Sequence, residues 1–343
     1  MIIPSFLQKL PWSVKKYRSY LPLYPLAIEQ FDLREYNVIL SSSFIVAKGL
    51  LTNTDQLHIC YMHNPIRPAW ELYQQFLSHG SNGKRIKGFF SRLILHYLRL
   101  WDVTSANRVD HYIANSKFTA ERIKKIYNKD ATVIYPPVDI EIFKLQEIKE
   151  DYYVTASRLV YHKRIDIIVE AFNRMPDKKL VIVGDGPELK NLQKLAHSNI
   201  TFVKHQPNDG LIKYLQNARA FVFAAYEDFG IAPIEAMACG TPVLAFGKGG
   251  STETVINNKT GLLFSEQNAA SICNCVLQFE NVSHLFNPKS ISLYAEKFSK
   301  ERFEKEYKLF VDNKVKAFFK AEDDYSNNAE NQLSATPLQD FLQ

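Results

Sequence analysis

The chain has 343 residues, 46% of them hydrophobic, enough for a large core and for two domains of ordinary size. Its formal net charge of +6 is a mild excess that gives no argument for nucleic-acid binding and suits an anionic substrate or an anionic membrane face. The cysteines Cys60, Cys239, Cys273 and Cys275 sit in apolar surroundings and read as reduced thiols in a cytoplasm, and no uninterrupted apolar run is long enough to span a bilayer.

Prolines and tyrosines dominate residues 1–30 and forbid a long helix there. A short buried strand is predicted over 36–41, then a Ser-rich turn and a short helix to Gly49. A second strand over 57–61 ends at Met62-His63-Asn64-Pro65. Residues 84–101 are basic, aromatic and helical. A third strand covers 111–114, Asn115-Ser116 caps a helix over 117–127, and a fourth strand covers 132–135. The charged stretch 146–151 reads as an interdomain linker.

The second half alternates more cleanly. Strands are predicted over 152–156, 180–183, 200–203, 221–225 and 242–246. Helices are predicted over 165–172, 188–196, 210–217 and 234–239, with another opening at 252–256 and a long one over 299–319. This alternation argues for a parallel sheet covered on both faces. Residues 321–343 are acidic and Asn/Ser-rich and are expected to be disordered.

The stretch from Glu227 through Asp228, Phe229, Gly230 and Ile231 to Glu235 places two carboxylates around a strand-to-helix turn. Gly230 allows close approach to a ligand or a positive φ, and Pro233 is tolerated in a first helical turn. Free N–H groups at that helix start form an anion site. A nucleotide-sugar satisfies both features, its phosphates facing the N–H groups and its hydroxyls facing the carboxylates.

Five further groups each carry two readings. Gly184-Asp185-Gly186-Pro187 is a phosphate-binding turn or a plain tight turn. Arg158 and Lys163 follow the first strand of the second half, where they either hold a diphosphate or form a solvated basic loop. Lys248-Gly249-Gly250, before Ser251 and Thr252, adds a glycine pair or simply caps a helix. His63 is a structural histidine or a crevice residue, since it stands at a strand's carboxyl end. The run 84–101 packs on the domain or docks on anionic lipid.

In this order the motifs resemble the C-terminal half of family four retaining glycosyltransferases with the GT-B fold. The motifs are Ser157-Arg158-Leu159 with Lys163, Gly184-Asp185-Gly186-Pro187, Glu227 to Glu235, and Lys248-Gly249-Gly250. The first half, with Tyr61 to Trp70, Ile113 to Ser116 and Val133 to Asp139, resembles the mannosyltransferase-like branch that builds surface polysaccharides. The resemblance covers residues 5–315. It implies an α/β protein of two Rossmann-like domains facing a cleft. It implies transfer of a hexose, mannose from GDP-mannose, to a lipid-linked glycan of O-antigen, capsule or exopolysaccharide. Arg158 and Lys163 would hold the donor diphosphate, and Glu227 the donor sugar's hydroxyls. The backbone of Phe229, Gly230 and Ile231 would approach sugar and phosphate, with Gly184, Asp185 and Gly186 on the donor side. Glu235 would bind the ribose, and His63 would sit near the transferred sugar. The resemblance implies no metal or other cofactor, and no Asp-x-Asp motif stands in a metal-binding context.

The resemblance divides the chain into an N-terminal acceptor-side domain over 1–147, a nucleotide-sugar domain over 148–298, a helix over 299–320 packing back toward the first, and the tail 321–343. Family members begin with a strand, a glycine-rich loop and a helix, whereas no glycine precedes Gly49. The first domain is therefore expected to be incomplete, short by about fifty residues. Two alternatives follow: a fragment that only binds nucleotide, or a nucleotide-sugar epimerase on the same fold. The expected location is cytoplasmic, peripheral on the inner membrane face through residues 84–101. The donor reading requires Arg158, Lys163, Glu227 and Glu235 to surround a shared cavity.

Overall fold

A computed structural model describes residues 2–13, 17–67, 69–71, 73–74, 85–204 and 206–335. The chain forms two compact units. One comprises 1–114, 122–132 and 304–343, and the other comprises 115–121 and 133–303. These edges differ from a single boundary at 147/148.

The first unit carries a sheet of β1 (Val38–Ser43), β2 (Leu57–Met62), β3 (His111–Ala114) and β4 (Ala131–Val133), in that order. β1 pairs with β2, and β2 with β3, in parallel. All six residues of β2 are buried, as expected of a strand covered on both faces. β1 alternates buried and exposed positions, so its outward face is open. Before the sheet, the N-terminal region forms short helical turns, and Pro25 sits in the first turn of α1 (Tyr24–Glu29), where proline is tolerated.

Against this sheet lies α2 (Arg85–Ser105), with Leu95, Leu98 and Trp101 buried beside Ile66 and Ala69. Lys48 is fully buried under it, which its charge does not foretell. Its ammonium lies 3.2 Å from the Asp102 carboxylate and donates to the Asp102 carbonyl (2.7 Å) and Ser105 Oγ (2.6 Å). The carboxylate in turn accepts from Trp70 Nε1 (2.8 Å) and the Tyr127 hydroxyl (2.9 Å). A buried charge is tolerated when it is paired and hydrogen-bonded in this way.

The second unit carries six parallel strands in the order β10-β9-β8-β5-β6-β7. They are β5 (Tyr153–Ala156), β6 (Leu180–Val183), β7 (Ile200–Val203), β8 (Ala220–Phe223), β9 (Val243–Phe246) and β10 (Gly261–Phe264). The order reverses between β5 and β8, so crossovers leave to opposite sides there. That switch point opens a crevice at the strands' carboxyl ends.

The connecting helices are α3 (Lys117–Tyr127), α4 (Ile165–Asn173), α5 (Leu189–Leu195), α6 (Asn208–Asn217), α7 (Ile231–Ala238) and α8 (Ser251–Thr254). Then follow α9 (Ala269–Val282), α10 (Pro288–Ala295) and α11 (Lys300–Ala335). β10, α9 and α10 are elements that the sequence reading does not contain. Asn268 and Asn287 start α9 and α10, each side chain accepting the N–H three residues on.

Two expectations change. The stretch 146–151 is tied into the second unit. Gln146 and Glu150 donate their N–H groups to Cys239 and Asn217, and Lys149 Nζ donates to Gln216 O, Cys239 O and Thr241 Oγ1. α11 runs to Ala335, into the stretch read as disordered, although that stretch is Asn/Ser-rich; residues 336–343 lie outside those described.

Candidate active site

The switch-point crevice of the second unit is a cavity of about 500 Å³. Ser157 and Arg158 wall it from the loop after β5, and Gly184 and Asp185 from the loop after β6. Gln206 and Leu211 come from the β7 side, and Ala232 and Glu235 from α7. The loop after β5 contacts the Gly184–Gly186 turn through backbone. Leu159 N–H donates to the Asp185 carbonyl (2.8 Å), and Glu188 N–H to the Leu159 carbonyl (3.1 Å). A Cβ on Gly184, which has φ +152°, would lie 2.0 Å from the Ser157 carbonyl oxygen, and one on Gly186 2.3 Å from that of Leu159. Both glycines are therefore demanded by packing, and only Gly184 lines the cavity. Asp185 is exposed, and its Oδ1 accepts the Gly186 N–H.

Glu235 is the distinctive group of this cavity. Among the described residues no hydrogen bond or ion pair reaches its half-buried carboxyl. Burial alone pushes its pKa up to about 7. A carboxylate left in this state is provided with space and with unspent acceptor capacity. Arg158 is exposed on the same cavity, and its guanidinium likewise makes no bond among the described residues.

Lys163 and Glu227 are brought together differently. Lys163 Nζ donates to Glu227 Oε1 in an ion pair whose side chains are 22% and 19% exposed. Neither lies on the wall of the 500 Å³ cavity, although each stands on a segment that supplies that wall. The four expected residues therefore do not surround one shared cavity: Arg158 and Glu235 line it, while Lys163 and Glu227 form an ion pair off its wall.

The turn after β8 departs from the helical path at Gly230, whose φ is +89°, and α7 begins at Ile231. The positive φ is what requires glycine there. Phe229 is buried, its ring 5.7 Å from both Tyr135 and Phe298, so its side chain is core and only its backbone remains for a ligand. Ile231 is exposed. The pair Gly249-Gly250 packs on this turn. Gly250 N–H donates to the Glu227 carbonyl (2.8 Å), and a Cβ on Gly250 would meet Phe229 Cα at 2.4 Å.

His63 belongs to the first unit, at the carboxyl end of β2. Its Nε2 shares a 2.9 Å hydrogen bond with Ser42 Oγ, and its ring lies 5.2 Å from that of Tyr61. α2 has two faces. Phe89, Phe90, Leu93, Tyr97 and Leu100 are exposed on it, opposite the buried Leu95, Leu98 and Trp101. Lys84 lies outside the described residues. Among those described, no helix is long and apolar enough to cross a membrane, and no group of three or more His, Cys, Asp or Glu is placed to hold a metal ion.

The residue that motif reading misses is Glu253. Its Oε2 accepts from Lys117 N–H (2.8 Å) and the Tyr135 hydroxyl (3.1 Å), and its Oε1 from Phe118 N–H (2.9 Å). The sequence signal for this cap is no more than an acidic residue after a glycine pair.

Comparison with known proteins identifies the family. Residues 138–327, more than half of the chain, match the profile of the family described as glycosyl transferases group 1, and residues 2–142 match glycosyltransferase family 4. The chain is 32% identical over 183 residues to a D-inositol 3-phosphate glycosyltransferase of Mycobacteroides abscessus, covering 46% of this chain and 41% of that protein. It is 33% identical over 196 residues to a GDP-mannose-dependent alpha-(1-6)-phosphatidylinositol monomannoside mannosyltransferase of Mycobacterium tuberculosis, covering 48% and 50%. The chain thus spans about half the length of the curated relatives it matches. Among solved structures, sucrose-phosphate synthase from Thermosynechococcus elongatus superposes with a TM-score of 0.65 at 19% identity, over 92% of this chain and 81% of that one, which shows a shared fold. With two Rossmann-like parallel-sheet units of the GT-B kind and a family profile matched along most of its second unit, the chain belongs to the group 1 glycosyl transferases.

Proposed function

We propose that this chain transfers a hexose from a nucleoside-diphosphate sugar, with retention of anomeric configuration. The observation that carries the reading is the cavity at the β5/β8 switch point, lined by the cation of Arg158 and the half-buried carboxyl of Glu235, neither of which has a partner among the described residues. A nucleotide supplies what each lacks: phosphate oxygens for the guanidinium and ribose hydroxyl donors for the carboxylate. Arg158, Lys163 and the N–H groups at the start of α7 are assigned to the departing diphosphate, whose developing charge they offset. Glu227 is assigned to the donor sugar's hydroxyls, and the backbone at Phe229, Gly230 and Ile231 to the sugar–phosphate junction. His63 is assigned to the transferred sugar. The reaction relies on positioning, with the leaving phosphate accepting the acceptor's proton, so no protein nucleophile and no metal is assigned.

The donor is read as GDP-mannose, because one relative's name specifies a GDP-mannose-dependent mannosyltransferase. The acceptor is read as a lipid-linked glycan of O-antigen, capsule or exopolysaccharide synthesis. The exposed apolar stripe of α2, with the basic Arg92 on the same helix, suits contact with an anionic membrane surface on the cytoplasmic side. The experiment is transfer of labelled mannose from GDP-mannose to lipid-extracted acceptor, beside the same assay with Glu227→Ala. Wild-type transfer that falls at least about 100-fold in the variant supports the assignment. Equal activity of the two proteins removes Glu227 from the site.

A further inference from the structure

We propose that Glu253 is a positioning residue for the turn that receives the donor sugar, acting through Tyr135 and the Gly249–Gly250 turn without touching the ligand. The proposal rests on the donor-binding reading above.

The Glu253 carboxylate is fully engaged. Two backbone N–H groups at the start of α3 and one phenol donate to its two oxygens, within 3.1 Å. A carboxylate at a helix start is stabilised by the orphan N–H groups and the helix dipole. Those N–H groups would otherwise be an anion site, so Glu253 removes this helix start from the candidate phosphate binders.

The three donors come from two separate segments, α3 and Tyr135, two residues beyond β4. The Tyr135 ring stacks on Phe229, centroids 5.7 Å apart and planes at 26°. Phe229 stands between Glu227 and Gly230. Fixing the Tyr135 hydroxyl therefore fixes the ring that Phe229 packs on. Burial first, then the Glu253 charge, push the Tyr135 phenol up to about 12, so it stays a donor across the physiological range.

The second tie runs through the chain itself. Glu253 stands three residues after Gly250, within the short helix α8. Gly250 donates its N–H to the Glu227 carbonyl, and any side chain at Gly250 would collide with the backbone of Asp228 and Phe229. A Cβ on Gly249 would likewise meet the Glu227 carbonyl oxygen at 2.5 Å. The backbone of Glu227 to Phe229 is thus gripped on one side by Tyr135 and on the other by Gly249 and Gly250, and Glu253 bonds the first grip to the second. A polar cavity of about 410 Å³, lined by Lys117, Phe118, Tyr135, Thr252 and Glu253 among others, lies beside these bonds. Removal of the carboxylate leaves that space open, with no side chain packed to replace it.

The arrangement separates two parts of the donor. Arg158 and Glu235, on the 500 Å³ cavity, serve the nucleoside diphosphate, while the Glu227–Gly230 turn serves the sugar and only its junction with the outer phosphate. Loss of Glu253 should therefore weaken sugar recognition and leave nucleotide recognition intact. The test is titration calorimetry of the full chain with two matched pairs, GDP-mannose with GDP and UDP-glucose with UDP. The proteins are wild type, Glu253→Ala, Glu253→Gln and Tyr135→Phe.

For the pair that wild type binds, Glu253→Ala should weaken the nucleotide-sugar at least about tenfold and the nucleoside diphosphate less than about twofold. Glu253→Gln, which keeps one acceptor oxygen, should recover part of the loss. Tyr135→Phe should weaken the nucleotide-sugar about threefold, and it carries the test if Glu253→Ala does not fold. Equal weakening of both ligands would reduce Glu253 to a general structural support and overturn the proposal, as would unchanged binding of both. Absence of binding by wild type would instead remove the donor reading on which the proposal stands.

Discussion

Lys163 and Glu227 hold each other, ammonium to carboxylate, on two loops that leave the sheet at β5 and β8. Each neutralises the other. A pyrophosphate arriving near Lys163 and a sugar arriving near Glu227 would each replace one half of the pair. Substituting either alone leaves the other charge largely covered and without its counterion. Both Lys163→Met and Glu227→Gln should therefore reduce transfer by about 100-fold. The double variant should cost much less than the product of the single losses, since the pair acts as one unit. A double-mutant cycle on initial rates checks this, and strictly multiplicative losses would show two independent roles.

Glu235 gives a pH dependence whose sign is fixed by burial. Its folded pKa is raised from 4.5 to about 7. Between those values the unfolded chain has released the proton that the folded chain still holds. Folding stability is therefore lost as pH rises through this window, by at most about 3 kcal/mol once pH exceeds 7. Below pH 4.5 the penalty vanishes. Glu235→Gln should raise the melting temperature at pH 8 and leave it unchanged near about pH 4. The same variant should weaken nucleotide binding, because the amide lacks the second acceptor oxygen. Urea unfolding at the two pH values and nucleotide titration at the higher one measure both effects. A carboxyl that stabilises the free protein in mild alkali would contradict this reading.

Gly184 and Gly250 have no tolerance for a side chain. At Gly184 a Cβ would lie 2.0 Å from a backbone oxygen, and at Gly250 2.4 Å from a backbone Cα. Backbone cannot rotate away as a side chain can. Gly184→Ala is expected to cost at least about 3 kcal/mol of stability. Gly250→Ala is expected to cost about as much and to displace the Glu227–Phe229 turn. Chemical denaturation checks both, and a loss under about 1 kcal/mol would mean the loops part easily.

Lys48 is a test of the first unit. Lys48→Met removes the partner of the fully buried Asp102 carboxylate while keeping much of the side-chain volume. It should destabilise by about 3–5 kcal/mol, the cost of an uncompensated buried charge. Lys48→Met combined with Asp102→Asn should recover part of this. Thermal unfolding of the single and double variants measures the difference.

The strands of the second unit are readable because each is a short apolar run between a helix and a turn, as with Leu180–Val183 and Ala220–Phe223. β10 escapes because Gly261-Leu262-Leu263-Phe264 follows the Asn257–Thr260 turn, with no long helix pattern before it. The Gly230 turn is legible from its spacing, and its positive φ agrees. Phe229 stands in the same motif, yet its ring packs into the core, which a motif cannot distinguish from a ligand-facing ring. Glu253 is invisible as a clamp because its partners Lys117 and Phe118 lie 136 and 135 positions earlier. Lys48 reads as a surface residue, since only tertiary structure brings Asp102 and Ser105 around it.

Titration of the full chain with GDP-mannose, UDP-glucose, GDP and UDP bears on all of these assignments at once. One nucleoside diphosphate should bind at a single site per chain, with its affinity lowered at least about tenfold by Arg158→Ala and by Glu235→Gln. No measurable binding of any of these ligands, by a wild-type chain with a cooperative unfolding transition, would contradict a nucleotide-sugar site at the β5/β8 crevice.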